Sequence, residues 1–412
     1  MLKLNLDNAN LDLSAYADQL PQYRDQLLNR SQGWLDLPET APTSQILTYA
    51  ESVKGQFEHL VVLGIGGSAL GVNALFKALK HYYWNNLSSD QRQGYPQLHV
   101  LDNIDPAVIN DIQDVIDPAK TLFIVITKSG STPETISQYL YFRKLAPKEN
   151  FVFITDPKKG LLRQIATEQG IPTFDIPENV GGRFSVLTPV GLLPAALLGI
   201  DITNLLKGAG EIRDNFLSQE FATNPAYQLA ALQYELNTKH NININVLMPY
   251  SSPLFTIADW YRQLLAESIG KDGVGITPIN ALGVTDQHSQ IQLYNEGPKD
   301  KLIMLIKTLK NSETDNQHVI NAEGLPDFAY LNGVTFKKLL DTELTATTQA
   351  LTKYKTANIQ IQIPEISPHT IGQLFMLFEL ATGLLGELFQ IDAFNQPGVE
   401  LGKVLTKEKL GG

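Results

Sequence analysis

Between Phe57 and Pro177 one pattern recurs: a short run rich in β-branched residues, a loop of small residues, then a helical stretch. The runs are HLVVLGIG, QLHVLD, TLFIVIT and NFVFITD, and Gly, Ser, Asp or Asn follows each of them. Such an alternation restricts the chain to an α/β architecture, a parallel sheet wrapped by helices. Ligands are then expected at the carboxyl ends of the strands.

A second alternation follows the Leu/Ala-rich segment Leu192 to Leu198, with INVLMPY, DKLIMLIKT and NIQIQIPEI as strands and DWYRQLLAE as an intervening helix. At 412 residues and 43% hydrophobic the chain is too long for one ordinary core, so two α/β domains are expected. The polar stretch from Lys310 to Gln317 reads as a loop. The apolar stretch Ile371 to Ile391 carries Glu379 and Glu387 and is preceded by Ser367 and Pro368, a cap and a favoured first helical residue. This predicts a buried amphipathic helix and not a membrane span.

The formal net charge of -11 argues against a nucleic-acid or anionic-membrane partner, so an anionic substrate would need a local basic site. With no cysteine, disulfides, thiolate ligands and a Cys nucleophile are excluded. The N-terminus alternates apolar and polar residues, with no basic segment and apolar run to mark it for export.

LVVLGIGGSALG, Leu60 to Gly71, is a strand entering a Gly-rich turn and a helix, able to cradle an anion on backbone N–H groups. As a dinucleotide fingerprint it lacks an acid at the expected spacing, and as a nucleophile elbow it has Leu70 where a glycine belongs. TKSGSTPET, Thr127 to Thr135, offers four hydroxyl residues and Lys128 ahead of a helix, which suits a phosphate monoester or a capping cluster. GGRFSVL places Arg183 behind two glycines, either to face a developing oxyanion or to pair with a carboxylate.

Gln263 and Glu267, four apart, share one helix face, which is compatible with a common site or with a solvated surface. Lys271 and Gly273 fit the ending of that helix. His288 lies in the polar loop TDQHS, and the seven histidines show no paired metal-ligand spacing. Gln396 and Lys403 stand near the C-terminus in FNQPGVELGK, a frayed tail by composition but one with a Pro-Gly turn.

Together and in this order, GIGGSALG, TKSGSTPET, GGRFSVLTPVGLLP, ESIGKDG, TDQHS and FNQPGVELGK resemble the phosphoglucose isomerase family, from about Leu60 to Lys403. The resemblance implies two doubly wound sugar-isomerase domains: residues 1–190 with an N-terminal segment, and 191–385 with linking helices. A C-terminal arm, 386–412, would return to the cleft. It implies interconversion of glucose 6-phosphate and fructose 6-phosphate in glycolysis and gluconeogenesis, with no cofactor and no metal, in a cytoplasmic homodimer that shares its active sites. Glu267 would be the base moving a proton between C2 and C1, and Arg183 would steady the cis-enediolate.

By the same resemblance, His288, from the other subunit, and Lys403 would handle ring opening and the sugar hydroxyls. Thr127, Lys128, Ser129 and Thr132 would hold the phosphate with Gly67 and Ser68, while Gln263 and Gln396 would line the substrate site. Thr127 and the pair Ser131, Thr132 stand where many members carry serine and threonine-threonine, which keeps the hydroxyls. The rival readings are a phosphoglucose/phosphomannose isomerase and a catalytically silent sugar-phosphate-binding protein.

Overall fold

The computed structural model describes residues 1–218, 220–310 and 317–411; most of the polar stretch read as a loop, 311–316, lies outside them. A short strand, β1 (Lys3–Asn5), opens the chain. The first sheet holds β2 (His59–Leu63), β3 (Gln97–Leu101), β4 (Thr121–Thr127), β5 (Phe151–Thr155) and β6 (Thr173–Asp175), all parallel in the order β3-β2-β4-β5-β6. β2, β4 and β5 are buried along their whole length, as apolar runs covered by helices on both faces must be.

The second sheet holds β7 (Ile244–Pro249), β8 (Thr277–Asn280), β9 (Lys301–Thr308) and β10 (Ala357–Ile363), in the order β1-β10-β9-β7-β8. Its neighbours are parallel except β1, which runs antiparallel along β10 through Leu4 opposite Ile361. The N-terminal segment therefore joins the second sheet, although the sequence reading grouped it with the first.

Three helices, Ile202–Leu217, Pro225–His240 and Pro368–Leu388, pack together in the core that joins the sheets. Ser367 caps the last of them, its Oγ accepting the Thr370 N–H at 3.3 Å, and Pro368 takes the first helical position. Every residue from Thr370 to Leu388 is buried. Among the described residues this is the one helix long and apolar enough to cross a membrane, and protein surrounds all of its apolar window. It crosses Ile202–Leu217 at two glycines: a Cβ on Gly208 would stand 1.8 Å from the His369 carbonyl oxygen, and one on Gly372 1.9 Å from that of Leu205.

The first sheet's order reverses between β2 and β4, so the loops leaving these two strands splay apart and open a crevice at their carboxyl ends. Both loops are motifs picked out above. The helix Phe255–Ile269 of the second half packs against Leu70–Leu79, the helix after β2, and this brings its C-terminal turn to that crevice.

Candidate active site

The crevice is a cleft of about 440 Å³ lined by Gly67, Ser68, Thr127, Lys128, Ser129, Thr132 and Gln396, among others. In the loop after β4 the hydroxyls form a cluster: Thr127 Oγ1 lies 2.7 Å from Thr132 Oγ1 and 3.3 Å from Ser129 Oγ. Thr132 occupies the N-cap of the helix Pro133–Phe142, yet its side chain makes no capping bond. It turns to Thr127 instead, so the first N–H groups of that helix face the cleft without a side-chain cap. Capping alone therefore does not account for the cluster, whereas an anion with several acceptor oxygens does.

The loop after β2 meets the loop that carries Arg183. A Cβ on Gly67 would fall 2.1 Å from the Gly182 carbonyl oxygen, so only glycine permits this approach. The Ser68 and Ala69 N–H groups bond within the turn, to the carbonyl oxygens of Ile65 and Gly66. Lys128 differs from a free phosphate-binding cation: its Nζ donates to the Glu178 and Val180 carbonyl oxygens at 2.8 Å each, and burial pushes its ammonium below the ordinary value. Its charge lines the cleft while its hydrogen bonds hold the loop before Arg183.

Arg183 is buried, and its donors radiate into a fixed set of acceptors. Nε donates to Ser268 Oγ at 2.7 Å, and one terminal nitrogen to Glu267 Oε2 at 3.3 Å and Gln396 Oε1 at 3.1 Å. The other donates to the Asn395 carbonyl at 3.0 Å and to that of Ala393. Burial lowers the guanidinium from its ordinary value and Glu267 opposes this, but an arginine so held keeps its charge.

Glu267 completes the arrangement. Gln263 Nε2 donates to its Oε1 at 3.0 Å, so both carboxylate oxygens are oriented by partners while 34% of the side chain stays open to solvent. An oriented, accessible carboxylate beside a buried cation can take a proton from a carbon acid whose conjugate oxyanion that cation stabilises. The sequence left the Gln263–Glu267 pair open between a shared site and a solvated face; in the structure the pair is tied to the buried Arg183.

Two expected residues stand elsewhere. His288 is exposed on the turn Thr285–His288, and its side chain makes no hydrogen bond or ion pair with another described residue. It follows the carboxyl end of β8, whereas Glu267 ends the helix that leads into the start of β8. They thus flank β8, a four-residue strand roughly 13 Å long, from opposite ends of the chain path. Lys403 lies on the exposed helix Glu400–Lys409, paired with Glu400 at 2.7 Å, and is not brought to Glu267.

The helix bearing Glu267 ends at Ile269 with Gly270 as its cap, so Lys271 and Gly273 do not form its last turn. They belong to a tight reversal in which Lys271 and Val274 exchange backbone hydrogen bonds and Asp272 and Gly273 take positive φ. The Lys271 ammonium reaches the Asp392 carbonyl oxygen at 2.5 Å.

Sequence reasoning missed several residues of the site. Ser268 orients Arg183, and its hydroxyl beside Glu267 was visible, though not its direction. Thr135 lines the cleft; its buried Oγ1 has no hydrogen-bond partner among the described residues, so it is available to a ligand. Lys159, exposed at the cleft wall, adds a cation from the loop after β5.

A family model described as phosphoglucose isomerase matches residues 48–410. A protein of Carboxydothermus hydrogenoformans named glucose-6-phosphate isomerase is 45% identical over 91% of this chain and 83% of its own length. One of Rubrobacter xylanophilus with the same name is 40% identical over 93% and 90%. Among solved structures, the hypothetical protein TT0462 of Thermus thermophilus superposes with a TM-score of 0.87 at 36% identity, covering 100% of each chain. A glucose-6-phosphate isomerase of Chlamydia trachomatis shares the fold at a TM-score of 0.77 and 24% identity, over 90% of this chain and 72% of its own.

Proposed function

The chain belongs to the phosphoglucose isomerase family, and from that premise we propose that it interconverts glucose 6-phosphate and fructose 6-phosphate with Glu267 as the proton carrier. The observation that carries this reading is the Glu267 carboxylate held between Gln263 and Arg183, whose guanidinium also binds Gln396, a residue lining the hydroxyl-rich cleft.

The reaction is an internal redox exchange: C1 and C2 trade oxidation level through one proton moved between them, so no external electron acceptor enters the balance. In the open-chain aldose Glu267 removes the C2 proton, the electron pair of that bond forms the C1–C2 double bond, and the C1 carbonyl becomes an enediolate oxygen. Return of that proton to C1, with the O2 hydroxyl proton passing to O1 as C2 becomes the carbonyl, yields the ketose. Arg183 supplies fixed positive charge where the oxyanion develops, and needs no reorganisation because its hydrogen bonds are already made.

The phosphate binds at Thr127, Ser129 and Thr132, with Thr135, Gly67, Ser68 and the start of the helix Pro133–Phe142; Lys128 contributes charge. Remote from C1 and C2, this binding orients the sugar chain. Gln263 and Gln396 line the path between phosphate and base. His288 acts in ring opening from the second copy of a homodimer, a reading supported by its exposed position on the turn after β8, without contact to Glu267 in its own chain. Lys403 serves the same step when its exposed helix approaches the cleft. The enzyme works in the cytoplasm.

The test is purified protein with fructose 6-phosphate, coupled through glucose-6-phosphate dehydrogenase to NADPH absorbance. Rapid formation of glucose 6-phosphate supports the assignment. A folded protein that binds the sugar phosphate without converting it would be a silent binding protein instead.

A further inference from the structure

The turn that carries Gln396 is held by two cations. Arg183 donates to the carbonyl oxygens of Ala393 and Asn395, and Lys271 donates to that of Asp392 at 2.5 Å. The turn is further closed by Asp392 Oδ1, which accepts the Phe394 N–H at 3.0 Å. Lys271 can reach it because the reversal after Gly270 fixes its backbone: its N–H bonds to the Val274 carbonyl at 3.1 Å, and its carbonyl takes the Val274 N–H at 2.8 Å. Lys271 is thereby tied, through a few residues of chain, to the carboxylate proposed as the base.

We propose that Lys271 is a positioning residue for the isomerisation: its ammonium pins the segment 392–396 to the end of the Glu267 helix, so that Gln396, Arg183 and Glu267 hold one geometry. This rests on the proposed function. A cation at this position also answers the carbonyl-rich end of the helix Phe255–Ile269. The charged groups around it are Arg183, Asp392, Glu267 and Asp272. Burial, seconded by Arg183, pushes Lys271 down to about 8 against the pull of Asp392, Glu267 and Asp272. The pin is therefore charge-assisted below that pH and weakens as the ammonium loses its proton above it.

The experiment uses the full chain with Lys271→Arg and Lys271→Met, read in two ways. Hydrogen exchange of a peptide spanning 391–397 should quicken about 10-fold or more in Lys271→Met and stay near wild type in Lys271→Arg, a loss of about 1.4 kcal/mol or more in local protection. Unchanged exchange in Lys271→Met overturns the pin. The turnover profile across the neutral to alkaline range should fall on the alkaline side near the Lys271 value of about 8 in wild type. In Lys271→Arg that limb should move to higher pH, and in Lys271→Met kcat should drop about 10- to 100-fold, the range expected for displaced catalytic groups. A limb that stays at the same pH in Lys271→Arg overturns the role in catalysis. Wild-type protein with no isomerase activity overturns the proposed function alone, since the exchange measurement reads the pin without it.

Discussion

Arg183 and Glu267, 84 positions apart in the chain, meet at 3.3 Å because a helix from the second half lies against the first helix of the first sheet. One partner has a side chain 2% exposed and the other 34%. The pair thus joins a fixed interior charge to an accessible carboxylate.

Glu267→Gln keeps the size of the side chain and its bond to Gln263 but removes the proton acceptor. Fructose 6-phosphate binding, read by calorimetry, should persist while kcat falls about 10²- to 10⁴-fold, the usual worth of a general base. Wild-type turnover in this variant would end the assignment of the base.

Arg183→Met leaves the Ala393 and Asn395 carbonyls and Ser268 without their donor and Glu267 without its cation. Leaving the buried Ala393 carbonyl and Ser268 hydroxyl without this donor costs about 1–3 kcal/mol for each group left unsatisfied, so urea unfolding should shift clearly and activity should fall together with stability. A variant as stable as wild type would show that the guanidinium does not hold the C-terminal segment.

Thr135→Val replaces a buried hydroxyl, unpartnered among the described residues, by a methyl group. Thermal stability should stay level or rise, since no hydrogen bond is lost. The KM for fructose 6-phosphate should nevertheless rise about 10-fold or more if the hydroxyl serves the phosphate, given the usual worth of a bond to a charged group. Equal KM values would remove Thr135 from the phosphate site.

Mixing inactive His288→Ala and Glu267→Gln chains should restore activity, because half of the sites in a mixed dimer would then hold both residues. Verified subunit exchange without rescue would refute a shared site.

Glu379 lies in the core helix with both carboxylate oxygens buried and unpartnered among the described residues, and burial raises its pKa well above the ordinary value. The folded state then binds a proton that the unfolded chain releases near pH 4.5, so stability falls as pH rises above that value. Glu379→Gln should relieve this. Its melting temperature should exceed that of wild type by more in mildly alkaline buffer than in mildly acidic buffer; equal gains would show that the carboxyl does not titrate on unfolding.

The long strands were legible because a buried parallel strand writes itself as an unbroken apolar run: TLFIVIT became β4 and DKLIMLIKT gave β9. The three-residue β6 and the proline-bearing β8, TPIN, carry no such run and were missed. Candidate residues in the Gly-rich and hydroxyl-rich loops could be found because strand-end loops of α/β sheets are where ligands bind. What could not be read was direction. Ser268 is next to Glu267 in sequence but roughly a third of a turn away round the helix, and it faces Arg183. Lys128 has the composition of a phosphate ligand yet spends its hydrogen bonds on carbonyls.

The helix Pro368–Leu388 offers no residue between Thr370 and Leu388 to solvent. Most helices keep a wet face on which substitutions drift without consequence, and this one has none. Where it crosses the helix Ile202–Leu217, a side chain on either glycine would meet a backbone carbonyl oxygen, which no substitution can trim away. In a set of descendants of this chain Gly208 and Gly372 should stay fixed, while most positions of the exposed helix Glu400–Lys409 vary freely.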